Sequence, residues 1–161
     1  MAITRLNHAV LYVRDAQMSA QFYKEVFEME TVIQMNGAVF LKAKNSNNDH
    51  DLGLFSLGES ANKLTRGENI GLYHLAWQVE TLSDLVDFEK KLRENGSFVG
   101  ATDHGATKSV YGQDIDNLDF EIMWIVPVEL LEPGDEMKTH RLDLEKEISR
   151  FGAYLPGRNS Q

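Results

Sequence analysis

Apolar residues recur along this chain in two rhythms, every second position in short runs and every third or fourth in longer ones. The first rhythm marks strands with one buried face, and the second marks amphipathic helices. A short β-branched and aromatic run opens the chain, and Asp15 then stands where it can cap a helix burying Met18, Phe22, Val26 and Phe27. Three strand-like runs follow, ETVIQMN, AVFLKAK and DLGLFSL, parted by an NG pair and by the polar NSNNDH loop. The order then starts again. Thr81, with Asp84 three residues on, caps a second helix burying Leu82, Leu85, Phe88 and Leu92, which Gly96 ends. FVGATD, KSVYGQD and DFEIMWIV complete the second set, with the Asp/Asn-rich DIDN as a hairpin turn.

The recurrence extends to individual residues. At an offset of 66, LNHAVLYVRDAQMSAQFYKEVFEMETVI from Leu6 aligns with LYHLAWQVETLSDLVDFEKKLRENGSFV from Leu72, matching His8 with His74, Phe22 with Phe88 and Lys24 with Lys90. The expected fold is α+β, with two βαβββ repeats at about residues 3–58 and 70–127 in a single domain of residues 3–127. Beyond Pro127 the composition turns charged, and residues 128–161 are expected to form a C-terminal helical arm that packs on a partner chain.

Parity along the strands gives the polar residues their meaning. His8 shares a face with Leu6 and Val10, and His74 with Leu72 and Ala76. Glu121 lies with Asp119 and Met123, leaving Phe120, Ile122 and Trp124 to pack on helices. Paired about a pseudo-twofold axis, the two units would aim both histidines into one cavity. Two imidazoles and a carboxylate make a divalent-metal site with open coordination positions, and an uncompensated carboxylate on a buried strand face would cost several kcal/mol. Subtracting 66 from Glu121 lands on Phe55, so the first half offers no fourth ligand. Three ligands favour Fe(II) or Mn(II) over a closed structural site.

Bulk composition narrows the field further. With 161 residues and no cysteine, the chain excludes disulfides, thiolate ligands and cysteine nucleophiles. A net charge of −9 argues against nucleic acid as a partner. No apolar run approaches the roughly 20 residues that span a bilayer, and the N-terminus lacks the pattern of a signal peptide, so the expected location is cytoplasmic, with no membrane partner.

Taken together, the paired units, NHAV, YHLAW and YGQDIDNLDFEIMW resemble the vicinal oxygen chelate superfamily over about residues 3–127. That superfamily includes glyoxalase I, bleomycin-resistance proteins and type I extradiol dioxygenases. The resemblance implies metal ligands His8, His74 and Glu121. NNDHDLGLF is similar to the extradiol branch, where a histidine before a short apolar strand serves as acid/base, a role this implies for His50. Tyr111, ten residues before Glu121, keeps a spacing of that branch, and His104 is a candidate for its further pocket histidine. The implied activity is ring cleavage of a small aromatic diol by O2 at Fe(II), or alternatively Mn(II) or another divalent metal, in a homodimer. A glyoxalase-like lyase or isomerase and a metal-free antibiotic-binding protein stand as alternatives.

Overall fold

The computed structural model describes residues 2–63, 65, 67–68, 70–135 and 139–158. It divides into two compact units, one of residues 1–65 with 114–117 and one of residues 66–113 with 118–161. The first unit runs β1 (Ala9–Val13), α1 (Ala16–Phe27), β2 (Glu30–Met35), β3 (Ala38–Lys42) and β4 (Leu52–Ser56). Its open sheet has the order β1-β4-β3-β2, with β1 and β4 parallel. Leu11, Val13, Val39, Leu41, Leu52 and Leu54 are buried on the helix side, while Val10, Tyr12, Ile33 and Met35 are exposed. As expected from the sequence, Asp15 caps α1, its Oδ1 accepting from the N–H groups of Gln17 and Met18.

The buried face of α1 departs from the expectation at one residue, Met18. Phe22 and Val26 are buried as expected and Phe27 is half-buried, but Met18 is 63% exposed, and α1 also buries Ala16, Ser19, Ala20 and Tyr23. Small residues at 16, 19 and 20 let the helix backbone approach closely, which leaves no room for a methionine on that side. Tyr23 also reaches a polar partner, its hydroxyl donating to Asp114 Oδ2 at 3.0 Å.

The second unit repeats the order: β5 (His74–Gln78), α2 (Leu82–Glu94), β6 (Phe98–Asp103), β7 (Thr107–Gln113) and β8 (Asp119–Ile125). Its sheet runs β5-β8-β7-β6-β9, with β5 and β8 parallel and a two-residue β9 (His140–Arg141) added at the edge. Thr81 and Asp84 form the capping box of α2, and Gly96 follows the helix at φ +69°. Phe120, Ile122 and Trp124 are fully buried beneath the helices. The α+β class and both βαβββ units thus match the sequence reading.

Among the described residues of the C-terminal segment, where a helical arm was expected, there is a 3₁₀ turn, Val128–Leu130, and a helix, α3 (Leu144–Phe151). The Phe151 ring of α3 sits 5.3 Å from that of Trp124 in the same unit. No helix among the described residues is long and apolar enough to cross a membrane.

Candidate functional site

The β7–β8 hairpin sets Tyr111 directly opposite Glu121, and the parallel pairing of β5 with β8 sets Ala76 beside Glu121 and His74 beside Asp119. Side chains at 74, 111, 119 and 121 therefore emerge on the sheet face that carries no helix. There they meet. His74 Nε2 lies 3.1 Å from Glu121 Oε2, and the Tyr111 hydroxyl donates to Glu121 Oε1 at 3.1 Å. His104 Nε2 is 2.8 Å from the Tyr111 hydroxyl oxygen. Since the single phenolic proton is directed at Glu121, His104 must be the donor in that contact, with its proton on Nε2. The result is a chain, His104 to Tyr111 to Glu121 to His74.

Glu121 is only 6% exposed, and the chain explains how a carboxylate is tolerated there: one oxygen accepts from Tyr111 and the other faces an imidazole. The arrangement acts back on the phenol. Burial first, then the charge of Glu121 and its hydrogen bond, push the Tyr111 pKa up from 10.0 to about 12. Tyr111 is a committed proton donor at neutral pH.

These groups line a cavity of about 590 Å³ together with Tyr73, Thr102, Thr107, Asp119 and Met123. The β-bulge of β6, between Phe98 and Gly100, puts Val99 on its wall. Of the lining residues that the site reading left out, Asp119 had a visible signal in its parity with Glu121. Thr102 and Tyr73 had none that sets them apart from other strand or loop positions.

His8 and His50 belong to the first unit. His8 immediately precedes β1 and is exposed, with Nδ1 2.9 Å from Asn7 Oδ1. The His50 ring lies 4.4 Å from that of His8 and edge-on to Phe40 at 5.0 Å. A network around Asn48 shapes the loop before β4: its side-chain amide donates to Asn7 O and to Asp51 Oδ1. The pairing Val10 with Gly53, against Ala76 with Glu121, makes Gly53 the counterpart of Glu121, not Phe55 as a constant offset of 66 implies. A carboxylate is missing there all the same, and a Cβ at Gly53 would crowd Val10 and Phe40 at 3.3 and 3.4 Å.

The donor set suits a divalent cation. An imidazole nitrogen and a carboxylate oxygen 3.1 Å apart have the separation of adjacent ligands on one ion, about 3 Å for bonds of about 2.1 Å. Among the described residues of either unit, no three His, Asp or Glu side chains are gathered as a complete cage.

The sequence model of the Glyoxalase/Bleomycin resistance protein/Dioxygenase superfamily matches residues 5–122. No curated protein matches significantly. Among solved structures, a glyoxylase/bleomycin resistance protein/dioxygenase domain from Frankia sp. EAN1pec is similar, with TM-score 0.62 and 23% identity over 76% of this chain and 98% of that one. Lactoylglutathione lyase from Agrobacterium tumefaciens gives TM-score 0.59 and 19% identity over 76% and 95%. The fosfomycin resistance protein FosX from Listeria monocytogenes, in complex with Mn(II) and sulfate, gives 0.58 and 20% over 80% and 97%. These likenesses concern the fold, and with the sequence match they make this chain a member of the glyoxalase/bleomycin resistance/dioxygenase superfamily.

Proposed function

We propose that this protein is a divalent-metal-dependent extradiol dioxygenase, opening the ring of a small catechol with O2. The observation that most supports this reading is the hydrogen-bonded chain from His104 through Tyr111 and Glu121 to His74 on one cavity wall. His8, His74 and Glu121 are the residues that would hold the ion, Fe(II) or else Mn(II). When bound, such an ion would lower the hydroxyl pKa of the diol and let electrons pass from the ring to O2.

The protein groups have distinct tasks in this reading. Tyr111, held protonated by a pKa of about 12, donates hydrogen bonds and does not serve as base. His104 orients the phenol by donating to its oxygen. A diol oxygen entering beside Glu121 would meet Tyr111 as a donor once the phenolic proton turns from Glu121 Oε1 to the place where negative charge develops. His50, beside His8, is the proposed proton carrier. Thr102, Thr107 and Asp119 offer polar contacts to ring substituents, and Val99 and Met123 offer apolar ones.

Oxygen uptake by iron-loaded protein with a panel of substituted catechols tests the proposal. Uptake with a yellow ring-opened product is expected, and His50→Gln should keep the metal while losing turnover. A second reading, a glyoxalase-like lyase or isomerase, is favoured by the burial of Glu121, which suits a carboxylate acting as base. Bound metal without oxygen uptake would select it, and a protein that binds no metal would point to a ligand-sequestering role. The proposal includes a homodimer, which light scattering would read as twice the chain mass.

A further inference from the structure

The family match ends at residue 122, yet the chain beyond it grips the turn that carries His104. That turn links β6 to β7 and closes with the His104 N–H donating to Thr107 O at 2.9 Å. Gly105 follows at φ +79°, and a Cβ there would lie 1.6 Å from the backbone oxygen of Asp135. No other residue fits. Asp135 is itself fixed: its carboxylate accepts from the Glu132 N–H and from Arg150 Nη2, both at 2.9 Å.

A second tie reaches the same turn from the helix side of the sheet. Lys108 is 1% exposed, donates to Asp103 Oδ1 at 2.5 Å and stands 3.0 Å from Glu147 Oε2 of α3. Asp103 Oδ1 also accepts the Gly105 N–H at 2.8 Å. β9 adds a third tie by pairing with Thr102 and Asp103. The burial pattern of α3 is telling: Glu147 is 3% exposed, while Leu144, Ile148 and Phe151 are only half-buried. A helix that only covered apolar surface would bury those residues deepest. This one places its carboxylate deepest, and a buried ion pair fixes angles and register that an apolar seam of equal stability leaves loose.

We propose that residues 132–135 and 139–150 are a positioning element for the site, in which Asp135, Glu147 and Lys108 hold the β6–β7 turn so that His104 Nε2 meets the Tyr111 hydroxyl. The inference rests on His104 and Tyr111 being part of the site, and it assigns the C-terminal arm a task outside the family domain.

Imidazole ¹⁵N NMR of the metal-free full chain tests it, at about pH 8.5, two units above the usual imidazole pKa of about 6.5. The His104 signals are identified by their loss in His104→Gln. The wild type should show a fixed Nε2–H tautomer for His104. In the charge-neutral pair Lys108→Met with Glu147→Leu, those signals should move to the averaged shifts of an unrestrained ring while the circular dichroism of the fold persists. Leu92→Ala, which removes packing under α2 and lowers stability, should leave them in place. Glu147→Gln carries the same expectation if the double variant does not fold. An unchanged His104 signature in a folded variant, or averaged tautomers already in the wild type, overturns the proposal. The readout needs neither metal nor substrate, so failure of the dioxygenase reading would register separately, as absent oxygen uptake.

Discussion

Glu121 depends on its neighbours for its tolerance in a buried strand, and removing either should show distinct effects. Tyr111→Phe leaves Oε1 without its donor while keeping the ring, so metal binding should persist and catechol turnover should fall by roughly 100-fold or more, the usual weight of a positioned proton donor. Equal turnover in the variant would take Tyr111 out of the mechanism. The same phenol makes the fold sensitive to alkali. Tyr111 and Tyr23 both hold their protons more tightly when folded, Tyr111 to about 12 and Tyr23 well above its ordinary value through burial and Asp114. For a raised pKa the stabilising contribution is complete below the unfolded value of about 10 and is lost as pH climbs through the folded one. Urea midpoints should therefore decline above about pH 10, and Tyr111→Phe should flatten that decline. Tyr111 was reached in the sequence only through a spacing shared with a family branch, and its facing of Glu121 is set by the register of the β7–β8 hairpin. The meeting of His104 with Tyr111 was not legible there, since it depends on a tight turn at Gly105 that only Asp135 and Lys108 explain.

Each helix is seated by its cap and by the apolar side of its sheet. Thr81→Ala would break the capping box of α2 and should cost about 1 kcal/mol, whereas Ile122→Ala, at a fully buried site, should cost about 2–5 kcal/mol. Chemical denaturation measures both, and equal losses would show that the β8 core is looser than its burial indicates. Strand parity alone places Ile122 and Trp124 under the helices and Glu121 on the opposite face, because period-two alternation leaves no other choice. The start of α1 escaped that logic: apolar Met18 is exposed and Ser19 is buried. Close approach of small residues outweighs side-chain hydrophobicity there. The C-terminal elements were harder still. β9 is two residues long, below any periodic signal, and α3 binds through Glu147 and Arg150, which in a sequence read as solvent-facing charges.

At the scale of the whole molecule, an internal duplication dominates: two βαβββ units, with His8 just before β1 and His74 opening β5, and one carboxylate that the first unit lacks at Gly53. Duplication made the fold readable, because matching patterns at a constant offset have little chance of arising independently. The count of two between the offsets of the first strands and of the last stayed hidden, since it resides in strand register and not in composition. A divalent ion held by His8, His74 and Glu121 is a proposal. Its most direct test is metal analysis by mass spectrometry of protein purified without oxygen, beside His74→Ala and Glu121→Ala prepared the same way. About one iron or manganese per wild-type chain, lost in both variants, is the expected result. A wild-type protein that carries no metal and takes up none when offered Fe(II) or Mn(II) would contradict the proposal.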